Sequence, residues 1–270
     1  MAAGPGSVPR RARPIPKTPG EIDAMAAAGA VLAACHELMA GEVREGITTR
    51  ELDEMAEELI RAHGGAPAFK GYHGFPATIC PSVNDQVVHA IPGPYALRSG
   101  DIVSIDAGVV LDGWVADAAR THAIGEVDPL ARRLLEATER SLYRGIEAAR
   151  VGARVGDIGA AVQAEVEAEG FSVVQSLVGH GVGREMHEEP QVPNFGRPGT
   201  GLQLEEGFVI AIEPMVNAGD HEVVMGGDGW TITTKDGSLS AHFEHTVAVT
   251  AAGPRILTGA APAAAARRAS

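Results

Sequence analysis

The segment DIVSIDAGVVLDGWVADAART, residues 101–121, determines the fold of the chain around it. Two runs of alternating apolar residues flank Asp112-Gly113, a dipeptide that strongly favours a two-residue turn between antiparallel strands. The segment therefore predicts a β-hairpin. Counting outward from a tight turn gives the opposed pairs Leu111–Trp114, Gly108–Asp117 and Asp106–Ala119.

Two carboxylates lie on one face of this predicted hairpin. Asp106 and Asp117 are diagonal to each other, with Cβ atoms about 7 Å apart. Two carboxylates placed in this way can hold a pair of metal ions about 3.5–4 Å apart between them. From this pair alone, a structural explanation is equally strong: Asp117 caps a turn and Asp106 pairs with Arg120.

Three more polar residues stand in apolar or glycine-framed segments. Glu213 lies in FVIAIEPMV, where the following proline holds it extended at or near the end of a buried strand. Glu244 lies in SAHFEHTVAVT, a strand-like run that places His242 and Glu244 on the same face. His180 is bracketed by glycines in VGHGVG. A buried carboxylate is costly unless it is paired or bound to metal, so four of them and a histidine predict a shared cation site.

Composition excludes several classes of protein. The chain has 270 residues, 45% of them hydrophobic, enough for one large domain or two halves. A net charge of −13 argues against binding nucleic acid or an anionic membrane through bulk electrostatics. Cys35 and Cys80 are too few for a disulfide framework, which fits a reducing cytoplasm. No uninterrupted apolar run is long enough to predict a membrane span.

The order of predicted elements repeats along the chain. Thr18 with Glu21 predicts a helix to about residue 40, and Thr48 with Glu51 predicts a second helix to about residue 64. Strands follow to about residue 125. The cycle then starts again with a helix from Asp128-Pro129, a helix that Asp157 starts, and the strands that carry Glu213 and Glu244.

This repetition extends to the alignment of residues. The segment beginning at Gly46 aligns without a gap with the segment beginning at Gly152, and a similar shift brings Asp106 onto Glu213. We therefore predict a duplicated unit whose halves meet at the metal site. The domain is predicted over 17–257, with halves of about 17–125 and 126–257, between disordered tails at 1–16 and 258–270.

The five polar residues and several longer strings together resemble the bacterial type I methionine aminopeptidases. The strings are KTPGEIDAM, GYHGFPATICPSVNDQVVHAIPG, SIDAGV, GHGVGREMHEEPQVPN, AIEPM and FEHTVAV. The resemblance covers roughly Lys17 to Thr250. It implies the pita-bread fold, an α+β domain of two pseudo-symmetric halves around a curved antiparallel sheet with helices outside. One departure is ADAART in place of the more usual GDTSRT around Asp117, which affects only the surroundings of the ligands.

The resemblance also implies an activity, the removal of N-terminal Met from nascent polypeptides when the second residue is small. Its metal ligands would be Asp106, Asp117, His180, Glu213 and Glu244, which would bind two divalent ions drawn from Co, Mn, Fe, Ni and Zn. Oxygen-dominated ligation favours Mn²⁺, Fe²⁺ or Co²⁺. Glu213 would also shuttle a proton, and His89 and His187 would contact the substrate and stabilise its transition state.

The expected pocket for the methionine side chain is apolar and is lined by Tyr72, Phe75, Cys80, Met186 and Trp230. A monomer with transient proximity to the ribosome is expected. Two alternatives share the fold. One is an Xaa-Pro aminopeptidase, a class that usually carries a substantial further N-terminal domain, and the other is a non-catalytic binding module, a class that loses metal ligands.

Overall fold

The structure is a computed structural model that describes residues 13–259. Its helices are α1 (Pro19–Glu42), α2 (Thr49–Ala62), α3 (Pro129–Ala148) and α4 (Val155–Ala168). The strands of the first half are β1 (Ala66–Pro67), β2 (Ile79–Val83), β3 (Gln86–Val88), β4 (Ile102–Leu111) and β5 (Trp114–Ala123). Those of the second half are β6 (Ser172–Val173), β7 (Gly179–Gly181), β8 (Glu188–Val192), β9 (Val209–Ile212), β10 (Met215–Asn217), β11 (Val223–Met225), β12 (Ile232–Thr234), β13 (Ser240–His242), β14 (Glu244–Thr250) and β15 (Gly253–Ile256).

Helices α1 and α2 each begin at a residue whose side chain accepts a hydrogen bond from a backbone N–H of the first helical turn. At α1, Glu21 N donates to Thr18 Oγ1 and Thr18 N donates to Glu21 Oε2, which confirms the predicted capping box. The same arrangement of Thr48 and Glu51 begins α2. The prediction that Asp157 starts α4 was wrong by two residues, because the helix begins at Val155 and Asp157 is its third residue. The Asp157 carboxylate accepts from the backbone N–H of Arg154, the residue just before the helix.

Helix α1 is the most apolar helix of the chain. By length and composition alone it could cross a membrane, with a mean hydropathy of 1.4 over its most apolar window. Half of that window is buried inside the domain, however, and Met25, Leu32 and Met39 are fully buried. The helix packs on β4 and β5, so its apolar character is explained by its place in the core.

One large antiparallel sheet carries the site. Its strand order is β1-β4-β5-β14-β9-β7-β8, with β2 also on β4 and β15 also on β14. The β4–β5 hairpin has the predicted register, with Leu111 opposite Trp114 and Asp106 opposite Ala119. Both turn residues have positive φ, 50° at Asp112 and 74° at Gly113, as the two-residue turn requires.

The two predicted halves meet within this sheet. The β4–β5 pair of the first half and the β9–β14 pair of the second half meet where β5 pairs with β14. The glycines that the alignment equates share left-handed backbone conformations, with φ of 87° at Gly46 and 88° at Gly152. Helices α1 and α2 cover the first half, α3 and α4 cover the second, and the two helix pairs bury separate apolar clusters against the sheet.

The run predicted as one strand from Ser240 onward is split. Ser240–His242 pairs with β10 in a separate three-stranded sheet, and the large sheet begins again only at Glu244. The intervening Phe243 leaves both ladders and donates its N–H to Pro214 O. The prediction of one unbroken strand was therefore wrong, although His242 and Glu244 do lie on the same side, with His242 Nε2 3.9 Å from Glu244 Oε2.

The ends of the described chain are held on the domain. Lys17 N donates to Gly207 O at 2.7 Å. Thr258 is buried, and its hydroxyl bonds His245 Nδ1 at 2.8 Å. The packed part of the chain thus runs at least from Lys17 to Thr258. Most of the two predicted tails, residues 1–12 and 260–270, lies outside the described residues.

Candidate active site

The five predicted ligands converge on one cavity of about 210 Å³, although four of them lie in four different strands and the fifth lies just after another strand. Asp106 and Asp117 lie within β4 and β5, and His180 is the middle residue of β7. Glu213 directly follows β9, and Glu244 is the first residue of β14. The first half of the chain thus contributes two of these residues and the second half three.

The distances among these groups suit a bound cation. One ligand atom each of Asp117, His180 and Glu244 lies within 4.8 Å of the other two. His180 Nε2 is 3.4 Å from Glu213 Oε1 and 3.8 Å from Asp117 Oδ2. His180 Nδ1 contacts Gly181 O at 3.0 Å, and because a carbonyl only accepts, this nitrogen carries the proton. The other nitrogen is left with a lone pair directed at the carboxylates.

Each of the four carboxylates has an oxygen without a partner. One oxygen of each is buried without a hydrogen bond: Asp106 Oδ1, Asp117 Oδ1, Glu213 Oε1 and Glu244 Oε1. Burial raises the pKa of all four, to about 7 for Asp117, and repulsion from neighbouring carboxylates adds to the rise at Asp106, Glu213 and Glu244. Buried acids without donors are costly, and divalent cations would satisfy them. The residues present therefore fit a metal site.

Two threonines fix the strands that carry the ligands. At the junction of β5 and β14, Thr246 Oγ1 accepts from Asp117 N at 2.9 Å and donates to Asp117 O at 2.8 Å. Thr121 Oγ1 makes the equivalent pair of bonds to the backbone of His242. Ala119, in the segment that departs from the more usual family string, lies opposite Asp106 on one side and Glu244 on the other. Its small side chain therefore borders two ligands.

The two predicted substrate histidines line the same cavity. His187 lies in the turn between β7 and β8, its ring centroid 4.2 Å from that of His180. Its Nδ1 is 2.8 Å from the Tyr72 hydroxyl, a bond that orients the ring. His89 follows β3 with a positive φ of 60°. Burial lowers the pKa of both imidazoles, which favours their neutral forms at neutral pH.

The remaining wall of the cavity is apolar. All five residues predicted for the methionine pocket line it: Tyr72, Phe75, Cys80, Met186 and Trp230. The rings of Phe75 and Trp230 meet edge to face with centroids 5.2 Å apart. Cys80 lies opposite Asp106 in the β2–β4 ladder, so the apolar wall begins directly beside the carboxylates. The cavity can thus hold an apolar side chain next to a bound cation.

Three residues around the site had no predicted role. Phe69 and His73 also line the cavity, and their clustering with Tyr72 and Phe75 in one aromatic loop was the available signal. His242 is buried with both ring nitrogens unpartnered and lies 3.9 Å from Glu244 Oε2. Its place two residues before Glu244, on the same face of the predicted strand, was the signal there.

Comparison with known proteins assigns the chain to a family. Residues 23–251, which include all five ligand candidates, match metallopeptidase family M24. The chain belongs to metallopeptidase family M24. Membership in this metallopeptidase family, together with the Asp, His and Glu cluster, makes the chain a metal-dependent hydrolase.

Curated relatives in family M24 match nearly the whole chain. It is 54% identical to the methionine aminopeptidase of Clostridium perfringens over 242 residues, which are 90% of this chain and 97% of that one. It is 49% identical to methionine aminopeptidase 1 of Bacillus subtilis over 242 residues, with 90% and 98% covered.

Solved structures agree with the expected fold. The methionine aminopeptidase of Rickettsia prowazekii superposes with a TM-score of 0.90 at 42% identity, covering 91% of this chain and 100% of that one. The prolidase of Pyrococcus furiosus shares the fold at a TM-score of 0.73 and 24% identity, with 92% and 66% covered. The predicted pita-bread fold is therefore confirmed.

Proposed function

We propose that this chain is a methionine aminopeptidase that removes N-terminal Met from nascent polypeptides with a small second residue, using two divalent metal ions. One observation carries the proposal. Four buried carboxylates, each with one oxygen free of hydrogen bonds, and the lone pair of His180 face one end of a cavity whose other wall is apolar. An arrangement of this kind combines a hydrolytic metal centre with a pocket for one apolar side chain.

The residues that would hold the metals are Asp106, Asp117, His180, Glu213 and Glu244. Four carboxylates balance the charge of two divalent ions, and their oxygens with one imidazole favour Mn²⁺, Fe²⁺ or Co²⁺. When bound, the ions supply a water acidified toward hydroxide and polarise the scissile carbonyl.

The chain's own groups would move the protons. Glu213 directly follows β9 with Oε1 buried and free of hydrogen bonds, so this oxygen can accept the proton of the attacking water. His187 and His89 are neutral donors on the cavity wall and would stabilise the oxyanion and the departing amine. The Tyr72 hydroxyl holds the His187 ring in one orientation for this role.

The apolar wall would supply the specificity. A thioether side chain is flexible and polarizable, and it packs well against aromatic rings such as Phe75 and Trp230. The carboxylate cluster lies beside this wall, so a substrate's free α-amine would reach it when the side chain fills the pocket. An internal peptide bond has no such amine, which explains why the reaction would be confined to the first residue.

Two alternatives are less well supported. An Xaa-Pro peptidase shares the fold, but the X-Pro aminopeptidase of Thermotoga maritima is only 20% identical and superposes with a TM-score of 0.71. A non-catalytic binding module would not require five metal ligands that converge on one cavity. A cytoplasmic location, a monomeric state and transient proximity to the ribosome remain predictions.

Metal stripping and a panel of peptides test the proposal. Chelation should abolish turnover of Met-Ala-Ser, and Mn²⁺ or Co²⁺ should restore it. The reloaded enzyme should leave Ala-Pro peptides intact. Full activity of metal-free protein, or a preference for Ala-Pro over Met-Ala-Ser, would overturn the assignment.

A further inference from the structure

A partly buried ion pair links the start of the domain to the turn that carries His187. Lys17 Nζ donates to Glu188 Oε2, although the two residues are 171 positions apart in sequence. The Lys17 side chain is only 9% exposed and that of Glu188 22%. Surface ion pairs contribute little, but breaking a pair that is largely withdrawn from water leaves an uncompensated charge.

The backbone of Lys17 is held in place on both sides. Its N–H donates to Gly207 O, two residues before β9. The next residue, Thr18, caps helix α1. A side chain at Gly207 would collide with this segment, since an added Cβ would lie 2.6 Å from Lys17 O. Lys17 is thus fixed relative to the sheet rather than free to follow Glu188.

Glu188 in turn organises the backbone of the turn before it. Its Oε1 accepts from Arg184 N at 2.9 Å and from Glu185 N at 3.3 Å. The carboxylate lies over Gly183, where an added Cβ would be 2.2 Å from Oε1. The next two residues in this turn are Met186 and His187, which both line the cavity.

The other end of the same turn is anchored separately. Arg184 stacks on the Trp114 ring at 3.7 Å and donates to Asp112 O and Gly113 O. This contact ties the beginning of the turn to the β4–β5 hairpin. It does not reach His187, so the backbone at His187 is held from the Glu188 end, while the Tyr72 hydroxyl orients the ring.

We propose that Lys17 is a positioning residue: through Glu188 it holds the 183–188 turn so that His187 and Met186 face the substrate. The inference rests on the proposed function, because it assigns to Lys17 an effect on the same reaction. Lys17 contacts neither the cavity nor the ligand residues, and it acts only through the carboxylate and the two amides that this carboxylate binds.

The test compares Lys17→Met, which keeps the length of the side chain without its charge, with Lys17→Arg, which keeps the charge. In Lys17→Met we expect kcat on Met-Ala-Ser to fall about 10- to 100-fold, because a small misplacement of a catalytic group costs up to that much. KM should change less, metal content should stay at the wild-type level, and Lys17→Arg should recover most of kcat. Lys235→Met, which breaks an exposed pair with Glu222, is the matched control and should retain wild-type kcat.

A second measurement does not depend on turnover. Hydrogen exchange of the metal-free protein should speed up at the Arg184 and Glu185 amides in Lys17→Met and remain slow in Lys17→Arg. In a His187→Ala background, Lys17→Met should have little further effect on kcat, because both changes act through one group. If Lys17→Met does not fold, Glu188→Gln removes the charge while keeping an acceptor, and it should lower kcat in the same way.

The outcomes separate the two proposals. If metal-loaded wild-type protein cleaves no Met peptide, the proposed function fails, and the exchange measurement alone decides the role of Lys17. Unchanged exchange in folded Lys17→Met, or a Lys17→Arg as defective as Lys17→Met, overturns the positioning role. So does unchanged kcat in Glu188→Gln.

Discussion

The two halves of the domain deliver their ligands in different ways. In the first half, Asp106 and Asp117 lie inside a regular hairpin whose register is unbroken over ten residue pairs. In the second half, His180 lies at a register shift between β7 and β8, Glu213 lies just beyond β9, and Glu244 opens β14 after a break. A regular hairpin can direct two carboxylates to one face, but three further ligands can reach the same point only if their strands end or bend there.

This difference separates rigid from adjustable parts of the site. Asp106 lies in ladders with β2 and β5 on both sides. Asp117 lies in the ladder with β4 on one side, and the Thr246 hydroxyl bonds its backbone N–H and C=O on the other. The second-half ligands depend on particular contacts outside the ladders, such as Asn194 Nδ2 donating to Glu213 O at 2.9 Å. Substitution of a ligand should therefore lower metal binding to a similar extent in either half. Substitution of a supporting residue should lower metal binding to different extents in the two halves.

The largest expected effect comes from removing a ligand charge in either half. Asp106→Asn and Glu244→Gln keep the shape of the side chain but lose its charge. Since changes beside a metal ligand already cost about 10–100-fold in metal affinity or activity, loss of a ligand should cost more than that. Metal analysis of the purified variants should show reduced metal content with the fold retained. Normal metal content in both would show that these residues are not ligands.

The next largest effect separates the three histidines of the cavity. His180→Ala should lower metal affinity, because its Nε2 is directed at the carboxylates. His89→Ala and His187→Ala should keep the metal and lose turnover by about 2.7–4 kcal/mol, the effect of removing one oxyanion donor. KM should rise less than kcat falls, because these bonds strengthen only in the transition state. Kinetics close to wild type in both variants would mean that the metals stabilise the transition state without either histidine.

The sequence predicted the hairpin better than the second half for a physical reason. Alternation and the Asp112-Gly113 turn fix the register from local information, and so Asp106 was placed opposite Ala119 correctly. The break at Phe243 depends on a hydrogen bond to Pro214, a residue 29 positions away, and local pattern carries no sign of it. The roles implied for Tyr72 and Met186 came from family resemblance alone, since by pattern each could have been ordinary core.

Loss of the Thr121 or the Thr246 hydroxyl should have an effect of intermediate size, and the two losses should differ in their effect on metal binding. Each hydroxyl accepts one backbone N–H and donates to one carbonyl across the junction of the halves. Thr121→Val and Thr246→Val should each lower the free energy of unfolding, by about 1–3 kcal/mol for each buried group left unpaired. Only Thr246→Val should also weaken metal binding, because its partner is the backbone of Asp117.

Serine variants provide the control for this pair. Thr121→Ser and Thr246→Ser keep the hydroxyl and should recover most of the stability in urea denaturation of the metal-free protein. Equal loss of metal from Thr121→Val and Thr246→Val would mean that the bonds to His242 support the metal ligands as much as the bonds to Asp117 do.

The smallest expected effect concerns the helix starts that the duplication equates. At α2, Glu51 N donates to the Thr48 hydroxyl, so Thr48→Ala should destabilise the protein by about 1 kcal/mol. At α4 the equivalent residue is Arg154, and Asp157 N already donates to its backbone carbonyl at 2.9 Å. Arg154→Ala removes only an exposed bond to Gly201 and should change the free energy of unfolding by less than about 0.5 kcal/mol. Urea denaturation of the two variants compares them directly, and an equal loss from both would mean that the Arg154 side chain caps α4 as Thr48 caps α2.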